Sequence, residues 1–181
     1  MKDTRNEIIS IADELIRTKG YNAFSYSDIS DRLKIKNASI HYYFPSKSDL
    51  GVAVIKNTIM NFKTVTTSWI NLDLKTQFEK FVTMHDATQR EHWVCLMGTL
   101  SASLDTLSDE MKLELNKMAN IIIEYLTDLL TKGKEQHIFS FAEDPKTKAY
   151  LIQSSLLASL LLDRVMGNHT YELIQKGILH N

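Results

Sequence analysis

Residues 25–50, SYSDISDRLKIKNASIHYYFPSKSDL, restrict the fold more than any other stretch, because they hold two short helical patterns separated by a few residues. Ser25 and Asp28 have the spacing of a capping box, in which two residues at a helix start satisfy each other's free backbone donors. Ile29 and Leu33 then lie one helical turn apart on one face. The sequence therefore predicts a short amphipathic helix that begins after Ser25.

The second pattern follows a turn at residues 34–36 and stops at Pro45, because proline disfavours helical geometry in the residue before it. Ile40 and Phe44 fall on its inward face. Its outward face carries small, polar and aromatic side chains: Asn37, Ala38, Ser39, His41, Tyr42 and Tyr43. Two short helices around a tight turn are typical of a helix-turn-helix motif, whose second helix enters the major groove of DNA.

Positive charge collects at the same place. Between Arg32 and Ser48 the chain carries Arg32, Lys34, Lys36 and Lys47 and no acidic residue, although the formal net charge of the whole chain is −1. Clustered basic side chains are what phosphate contacts require. A solvated basic turn would have the same composition, so it is the helical motif around the charges that favours DNA.

The run IHYYFPSKSDLG, with SYSDIS before it, closely resembles the N-terminal DNA-binding domain of TetR-family repressors. The family pattern there reads roughly T-x-x-D-I-A, a turn, and G-T-L-Y-x-H/Y-F-x-S-K-x-x-L. The matching residues are Ser25, Asp28, Ile29, Ser39, Ile40, Tyr43, Phe44, Ser46, Lys47 and Leu50. The chain departs from the pattern at Lys34, where the family often has glycine.

This resemblance implies roles for individual residues. Tyr43 and Lys47 are expected to contact phosphates, whereas the small and polar residues of the second helix are expected to face base edges. Packing of Tyr43 in the core of the small domain is the alternative. The predicted DNA-binding residues are Ser25, Lys36, Asn37, Ala38, Ser39, His41, Tyr42, Tyr43 and Lys47.

Composition and periodicity predict an all-α fold. The 181 residues include only 6 Gly and 2 Pro, and no strand-like alternation persists. One cysteine excludes an internal disulfide and indicates a cytoplasmic protein. The N-terminus is charged and unlike a signal peptide, and Asp163 and Arg164 interrupt the most apolar run, so no membrane association is expected.

The predicted organisation is a three-helix DNA-binding domain over residues 1–47 and a larger helical domain over residues 48–181. A helix that starts after Ser46, capped by Asp49, is expected to bridge the boundary and reach about Ile70. The other helices are predicted over residues 4–18, 74–89, 93–104, 108–133, 146–166 and 170–179.

The resemblance implies a ligand pocket in the larger domain, and such sites are mostly apolar. Aromatic and methionine side chains at helical spacing are otherwise ordinary core. The predicted lining is Trp69, Phe78, Phe81, Trp93, Cys95, Met97, Met118, Ile122 and Tyr125. The effector is expected to be a small apolar or electrophilic molecule.

Cys95 lies in the run VCLMGTLSASLDTLSDEM, which resembles the corresponding run of the NemR-like subgroup of TetR repressors. The matching cysteine there senses electrophiles or oxidants. Trp93 and Val94 before it predict that Cys95 lies in the first turn of a helix, where the helix dipole lowers a thiol pKa. A buried, inert cysteine is the alternative.

The helix predicted over residues 146–166 is apolar on more than one face, so it must be buried on most sides. A two-fold dimer built from the last two helices would bury the surplus and space two recognition helices by about one DNA turn, ~34 Å. The alternative is that the core of a single chain buries all of this apolar surface. The predicted interface residues are Leu156, Leu160, Val165, Tyr171 and Ile174.

No catalytic constellation and no cofactor motif is found, so an enzyme is not expected. His85 and His92 are too far apart on one helix to converge on a metal ion.

The sequence predicts a ligand-responsive transcriptional regulator, most simply a repressor that binds a pseudo-palindromic DNA operator as a homodimer. The alternative is a small-molecule-binding or dimerisation module whose helix-turn-helix no longer reads DNA specifically.

Overall fold

The computed structural model describes residues 3–167 and 169–180. The chain is 79% helical with no strands in that part, which confirms the all-α prediction. Two short 3₁₀ helices, Tyr21–Ala23 and Leu104–Thr106, join longer elements. The α-helices are α1 Thr4–Lys19, α2 Tyr26–Leu33, α3 Asn37–Tyr43, α4 Lys47–Ser68, α5 Leu74–Thr83, α6 Asp86–Arg90, α7 Leu96–Ser101, α8 Asp109–Glu135, α9 Pro145–Met166 and α10 Thr170–Leu179.

Both predicted capping boxes form. The Asp28 carboxylate accepts hydrogen bonds from the backbone N–H of Ser25 (2.8 Å) and from its hydroxyl (2.9 Å). The Asp49 carboxylate does the same for Ser46, at 2.8 and 2.7 Å. These local contacts fix the first residues of α2 and α4, and therefore the two ends of the helix-turn-helix segment.

The turn between α2 and α3 places Lys34 in the left-handed region, at φ 57° and ψ 40°. Its backbone N–H donates to the carbonyl of Ser30, which closes the end of α2. A side chain in this conformation costs about 1 kcal/mol relative to glycine. The turn therefore has a left-handed residue at position 34, and this chain has a lysine there where the family often has glycine.

The described chain divides into two compact units. The N-terminal unit comprises residues 3–61 together with Leu96–Met118, and the C-terminal unit comprises Phe62–Cys95 together with residues 119–180. Helices α4 and α8 each contribute residues to both units. The predicted domain boundary between residues 47 and 48 stays a prediction, and its outer ends at residues 1 and 181 lie outside the described residues.

Segment 96–118 completes the N-terminal unit. Gly51 of α4 lets Met111 pack closely, because a Cβ at position 51 would overlap the Met111 side chain. The Lys56 ammonium is 3.2 Å from the Glu110 carboxylate, and helix α7 packs on α1. The three N-terminal helices thus rest on a scaffold drawn from a distant part of the sequence.

Two helix predictions for the middle of the chain are wrong. The helix expected over residues 74–89 is interrupted at Met84 and His85, and it forms α5 and α6 separately. The helix expected over 93–104 is reduced to the six residues of α7, since residues 93–95 are not helical. Cys95 therefore precedes a short helix instead of lying in its first turn.

Helix α9 crosses the C-terminal unit and carries polar residues into its interior. By length and composition it is the single helix among the described residues that could cross a membrane, which is weak evidence for such a role. The Asp163 carboxylate accepts a hydrogen bond from the Gln89 amide (3.1 Å) and from the backbone N–H of Tyr171 (3.4 Å). These bonds tie α9 to α6 and α10, as in the core of a globular unit.

Candidate functional site

Helix α3 separates its side chains into a buried and an exposed set. Ile40 and Phe44 are buried, as predicted, and anchor the helix on the N-terminal unit. Tyr42 is 82% exposed, and its ring packs edge-on against that of Tyr43 at 5.2 Å. All the side chains predicted to face outward are exposed: Asn37, Ala38, Ser39, His41, Tyr42 and Tyr43.

The position of α3 depends on Tyr26, which sequence reasoning did not assign to the site. Its hydroxyl donates a hydrogen bond to the carbonyl of Phe44 (2.9 Å), so the start of α2 holds the end of α3. Burial, together with the nearby charge of Asp49, raises the pKa of Tyr26 to about 12. Its aromatic ring also packs against His41 at 4.7 Å.

His41 is exposed and yet held in one orientation. Its Nδ1 lies 3.2 Å from the carbonyl oxygen of Pro45. A carbonyl oxygen can only accept a hydrogen bond, so Nδ1 carries the hydrogen, and Nε2 of the neutral ring is left as an acceptor. The side chain therefore offers a defined acceptor at the exposed face of α3.

Lys47 does not extend freely from the surface. Its ammonium donates a hydrogen bond to the carbonyl of Phe24 and lies over the rings of Phe24 (4.3 Å) and Tyr21 (5.0 Å). Burial lowers the pKa of this ammonium. The contacts bind the start of α4 to the segment before α2, a placement that differs from the one expected for a phosphate contact.

The remaining charges around the motif fall into two groups. Lys19 and Arg32 form ion pairs at 2.7 Å, with Asp28 and with Glu14 respectively. The Lys19 ammonium, assisted by the donors of Ser25, holds the pKa of the Asp28 carboxyl well below its usual range. Lys34 and Lys36 are exposed at the turn before α3, and the Arg5 guanidinium lies 5.1 Å from the centroid of the Phe44 ring at the other end of that helix.

Comparison with known proteins agrees with this geometry. Residues 8–54 match the family model of the bacterial regulatory proteins of the tetR family. The crystal structure of a TetR transcriptional regulator from Legionella pneumophila is 33% identical in sequence, with a TM-score of 0.88 over 98% of this chain and 96% of that one. The chain belongs to the TetR family. It is accordingly a DNA-binding transcriptional regulator and not an enzyme.

Other TetR-family proteins are similar over the full length. The HTH-type transcriptional repressor NemR of Escherichia coli K12 is 22% identical over 184 aligned residues, covering 98% of this chain and 92% of NemR. The crystal structure of reduced E. coli NemR superposes with a TM-score of 0.84 at 21% identity, over 97% and 95% of the two chains. TetR-family regulators bind DNA operators and small-molecule effectors, typically as dimers.

The residues predicted to line an effector pocket are divided between the two units. Trp69, Phe78 and Phe81 are buried in the C-terminal unit, whereas Met97 and Met118 belong to the N-terminal unit. In the C-terminal unit the ring of Tyr125 stacks on Phe81 at 6.0 Å and meets Phe62 edge-on at 5.6 Å. The structure thus brings together part of the predicted set around Tyr125, while Trp93 and Ile122 are partly exposed.

The Tyr125 hydroxyl is the distinctive polar atom of this cluster. It is buried, and it has no hydrogen-bond partner among the described residues. Burial raises the pKa of Tyr125, so the hydroxyl keeps its hydrogen and remains a donor. An unpaired buried hydroxyl costs free energy unless something else accepts its hydrogen.

The residues predicted for a dimer interface fall into a buried group and an exposed group. Leu156, Leu160 and Tyr171 are buried within the C-terminal unit, so a single-chain core already uses their apolar surface. Val165 is 84% exposed, and Ile174 is also exposed. Further large apolar side chains of α9 and α10 are exposed, and periodicity alone did not separate them from the buried ones: Leu161, Leu162, Met166 and Leu173.

Proposed function

We propose that this TetR-family regulator is a ligand-responsive repressor that binds a pseudo-palindromic operator as a homodimer. The observation that carries the proposal is helix α3, whose outer face is exposed while Ile40 and Phe44 are buried and the Tyr26 hydroxyl holds the carbonyl of Phe44 at its end. Such a helix is ready to enter a major groove without reorganising. Binding to DNA from upstream of its own gene, measured over a range of salt concentrations, tests it.

Sequence-specific binding that weakens steeply with salt would support the proposal, because released counterions make phosphate contacts salt-dependent. Weak binding without preference for any sequence would favour the alternative, in which the helix-turn-helix no longer reads DNA. A DNA duplex of the same length and unrelated sequence serves as the control for binding that does not depend on sequence.

Within this proposal, Ser39 and His41 read bases, and Lys34, Lys36 and Tyr43 contact phosphates. The Nε2 acceptor of His41 suits the exocyclic amino group of adenine or cytosine, which are the donors of the major groove. Lys47 acts as a positioning residue, because its ammonium is already engaged by Phe24 and two aromatic rings.

For the dimer, the exposed apolar residues of α9 and α10 support an interface made by the last two helices. Val165 and Ile174 remain in the proposed contact, joined by Leu161, Leu162 and Leu173. A two-fold axis there presents the same patch from each copy, which is the geometry of most homodimers.

For the effector, we propose a small apolar molecule with one hydrogen-bond acceptor that binds beside Tyr125. The buried hydroxyl, which has no partner in the part of the chain that the structure describes, and the surrounding aromatic rings support this class of ligand. Its binding is expected to lower operator affinity.

An electrophile that modifies Cys95 is the second effector class. Cys95 is buried and directly precedes α7, which packs on α1 of the DNA-binding region, so added bulk at residue 95 would strain that helix. Treatment with N-ethylmaleimide should release operator DNA from the wild type and leave a Cys95→Ser variant bound. Equal release from both proteins, or no labelling of Cys95 in the native state, would reject the thiol sensor.

A further inference from the structure

A groove of about 490 Å³ lies within the C-terminal unit, and its lining includes none of Phe62, Phe81 and Tyr125. It is bounded by α5, the loop after α8, and parts of α9 and α10. Of the nine residues predicted for an effector pocket, it contains Phe78. Its volume falls in the range of small-molecule sites, roughly 300–1,000 Å³. The apolar wall includes Phe78, Leu130, Phe139, Ile152 and Ile178, and its edge on α10, at Leu173 and Ile174, is shared with the proposed dimer contact.

Specific packing shapes the wall of this groove. The ring of Phe139 lies directly on Gly133 of α8, since a Cβ at that position would overlap the ring. The same ring packs against Phe78 at 5.2 Å, so it joins the loop to α5. On the other side, a Cβ at Gly177 of α10 would meet no atom within 4 Å, so the groove is open there.

The charged side chains of the groove have a net positive sign. Among the described residues, the ammonium groups of Lys75 and Lys148 line it, against the carboxylate of Glu79. Lys148 is only loosely paired, because its ammonium is 4.0 Å from the Glu143 carboxylate. Apolar walls with two ammonium groups at the edge match a molecule that has a hydrocarbon chain and an anionic head.

We propose that this groove binds an amphipathic carboxylate, with its chain along the apolar wall and its head at Lys75 and Lys148. The site is separate from the effector position beside Tyr125, and the proposal does not depend on DNA binding. Burial of the chain supplies the driving force, while the two ammonium groups select the charge of the head.

The test measures binding of three probes of equal chain length to the full chain by calorimetry, below their micelle concentrations. The probes are dodecanoate, dodecanol and dodecyltrimethylammonium. Dodecanoate should saturate one site per chain and bind at least tenfold more tightly than the cationic probe. Lack of saturation, or equal binding of all three probes, would overturn the proposal.

Lysine substitutions test whether the carboxylate head binds at this groove. The double substitution Lys75→Ala/Lys148→Ala should weaken dodecanoate binding by about tenfold or more and leave dodecanol unchanged. Lys80→Ala/Lys146→Ala is the matched control, since these exposed lysines lie on the same two helices and do not line the groove. If the control pair and the groove pair have equal effects, charge is not recognised at this site.

Gly177→Leu fills the open side and should abolish dodecanoate binding, with helix content and thermal midpoint checked by circular dichroism. If it leaves dodecanoate affinity unchanged but alters the molecular mass in light scattering, a second copy of the chain covers the groove and the proposal is wrong. Should this variant fail to fold, the lysine pairs decide alone.

Discussion

The ammonium of Lys47 donates a hydrogen bond to the backbone carbonyl of Phe24, across 23 residues of sequence. The bond joins the first residue of α4 to the segment that precedes α2. The Phe24 side chain is itself buried beneath the ammonium. A lysine in the recognition motif thus contributes to the internal order of the DNA-binding region.

Replacing Lys47 by methionine keeps the apolar stem and removes the donor. Because the Phe24 carbonyl then loses its partner, the free energy of unfolding should fall by about 1–3 kcal/mol in urea titrations. The salt dependence of operator binding should stay as in wild type. Lys36→Met is the control, and there we expect unchanged stability and a salt slope reduced by about 1. The reverse pattern would make Lys47 a phosphate contact.

Substitutions at the exposed face of α3 should alter which operator sequences are bound. Ser39→Ala and His41→Ala should each cost about 1–3 kcal/mol on the native operator and much less on operators changed at the contacted base. Selection from a randomised DNA library measures the shift in preference. A uniform loss on all sequences would indicate that these side chains contact the backbone or support the fold.

Stability should fall in alkaline solution because of Tyr26. The pKa of its hydroxyl is raised from 10.0 to about 12, so above pH 10 the folded state retains a proton that the unfolded state releases. The contribution of Tyr26 to the unfolding free energy is therefore fully present below pH 10, and it is lost as the pH rises from 10 towards 12. Tyr26→Phe should lose this part of the decline in pH-dependent urea titrations, whereas Tyr42→Phe, at an exposed position, should retain it.

A charge in the exposed patch of α9 should separate the proposed dimer. Val165→Glu places a carboxylate in an apolar contact, where an unpaired charge is strongly unfavourable. Light scattering at micromolar concentration should give a dimer mass for wild type and a monomer mass for the variant. Leu113→Glu, at an exposed apolar position of α8, should remain dimeric. A monomeric wild type would exclude the interface.

Removing the hydroxyl of Tyr125 should have opposite effects on the free and the bound protein. Tyr125→Phe deletes a buried hydroxyl that has no hydrogen-bond partner in residues 3–167 and 169–180, so the free protein should be unchanged or stabilised by up to about 1 kcal/mol. The effector should bind less tightly, which titration of operator release measures. A clear loss of stability in the free protein would show that the hydroxyl is already paired.

Local chemistry explains which parts of this fold could be predicted. The capping boxes at Ser25 and Ser46 involve residues three apart, so the starts of α2 and α4 could be predicted from local sequence. The interruption at Met84 has no glycine or proline to mark it, and the Tyr171 hydroxyl contacts both sides of it, at the Val82 carbonyl (3.2 Å) and the Asp86 carboxylate (3.0 Å). The inward turn of Lys47 and the seating of Phe139 on Gly133 require partners that only the folded chain brings together.

The left-handed conformation of Lys34 implies a trade-off between the stability of the protein and its affinity for DNA. Glycine at position 34 would relieve about 1 kcal/mol of backbone strain but would remove a cation from the edge of the recognition helix. Lys34→Gly should therefore raise the thermal midpoint and lower the affinity for every DNA sequence alike. Variants selected for heat resistance should drift towards glycine here, whereas variants selected for tight repression should retain the lysine.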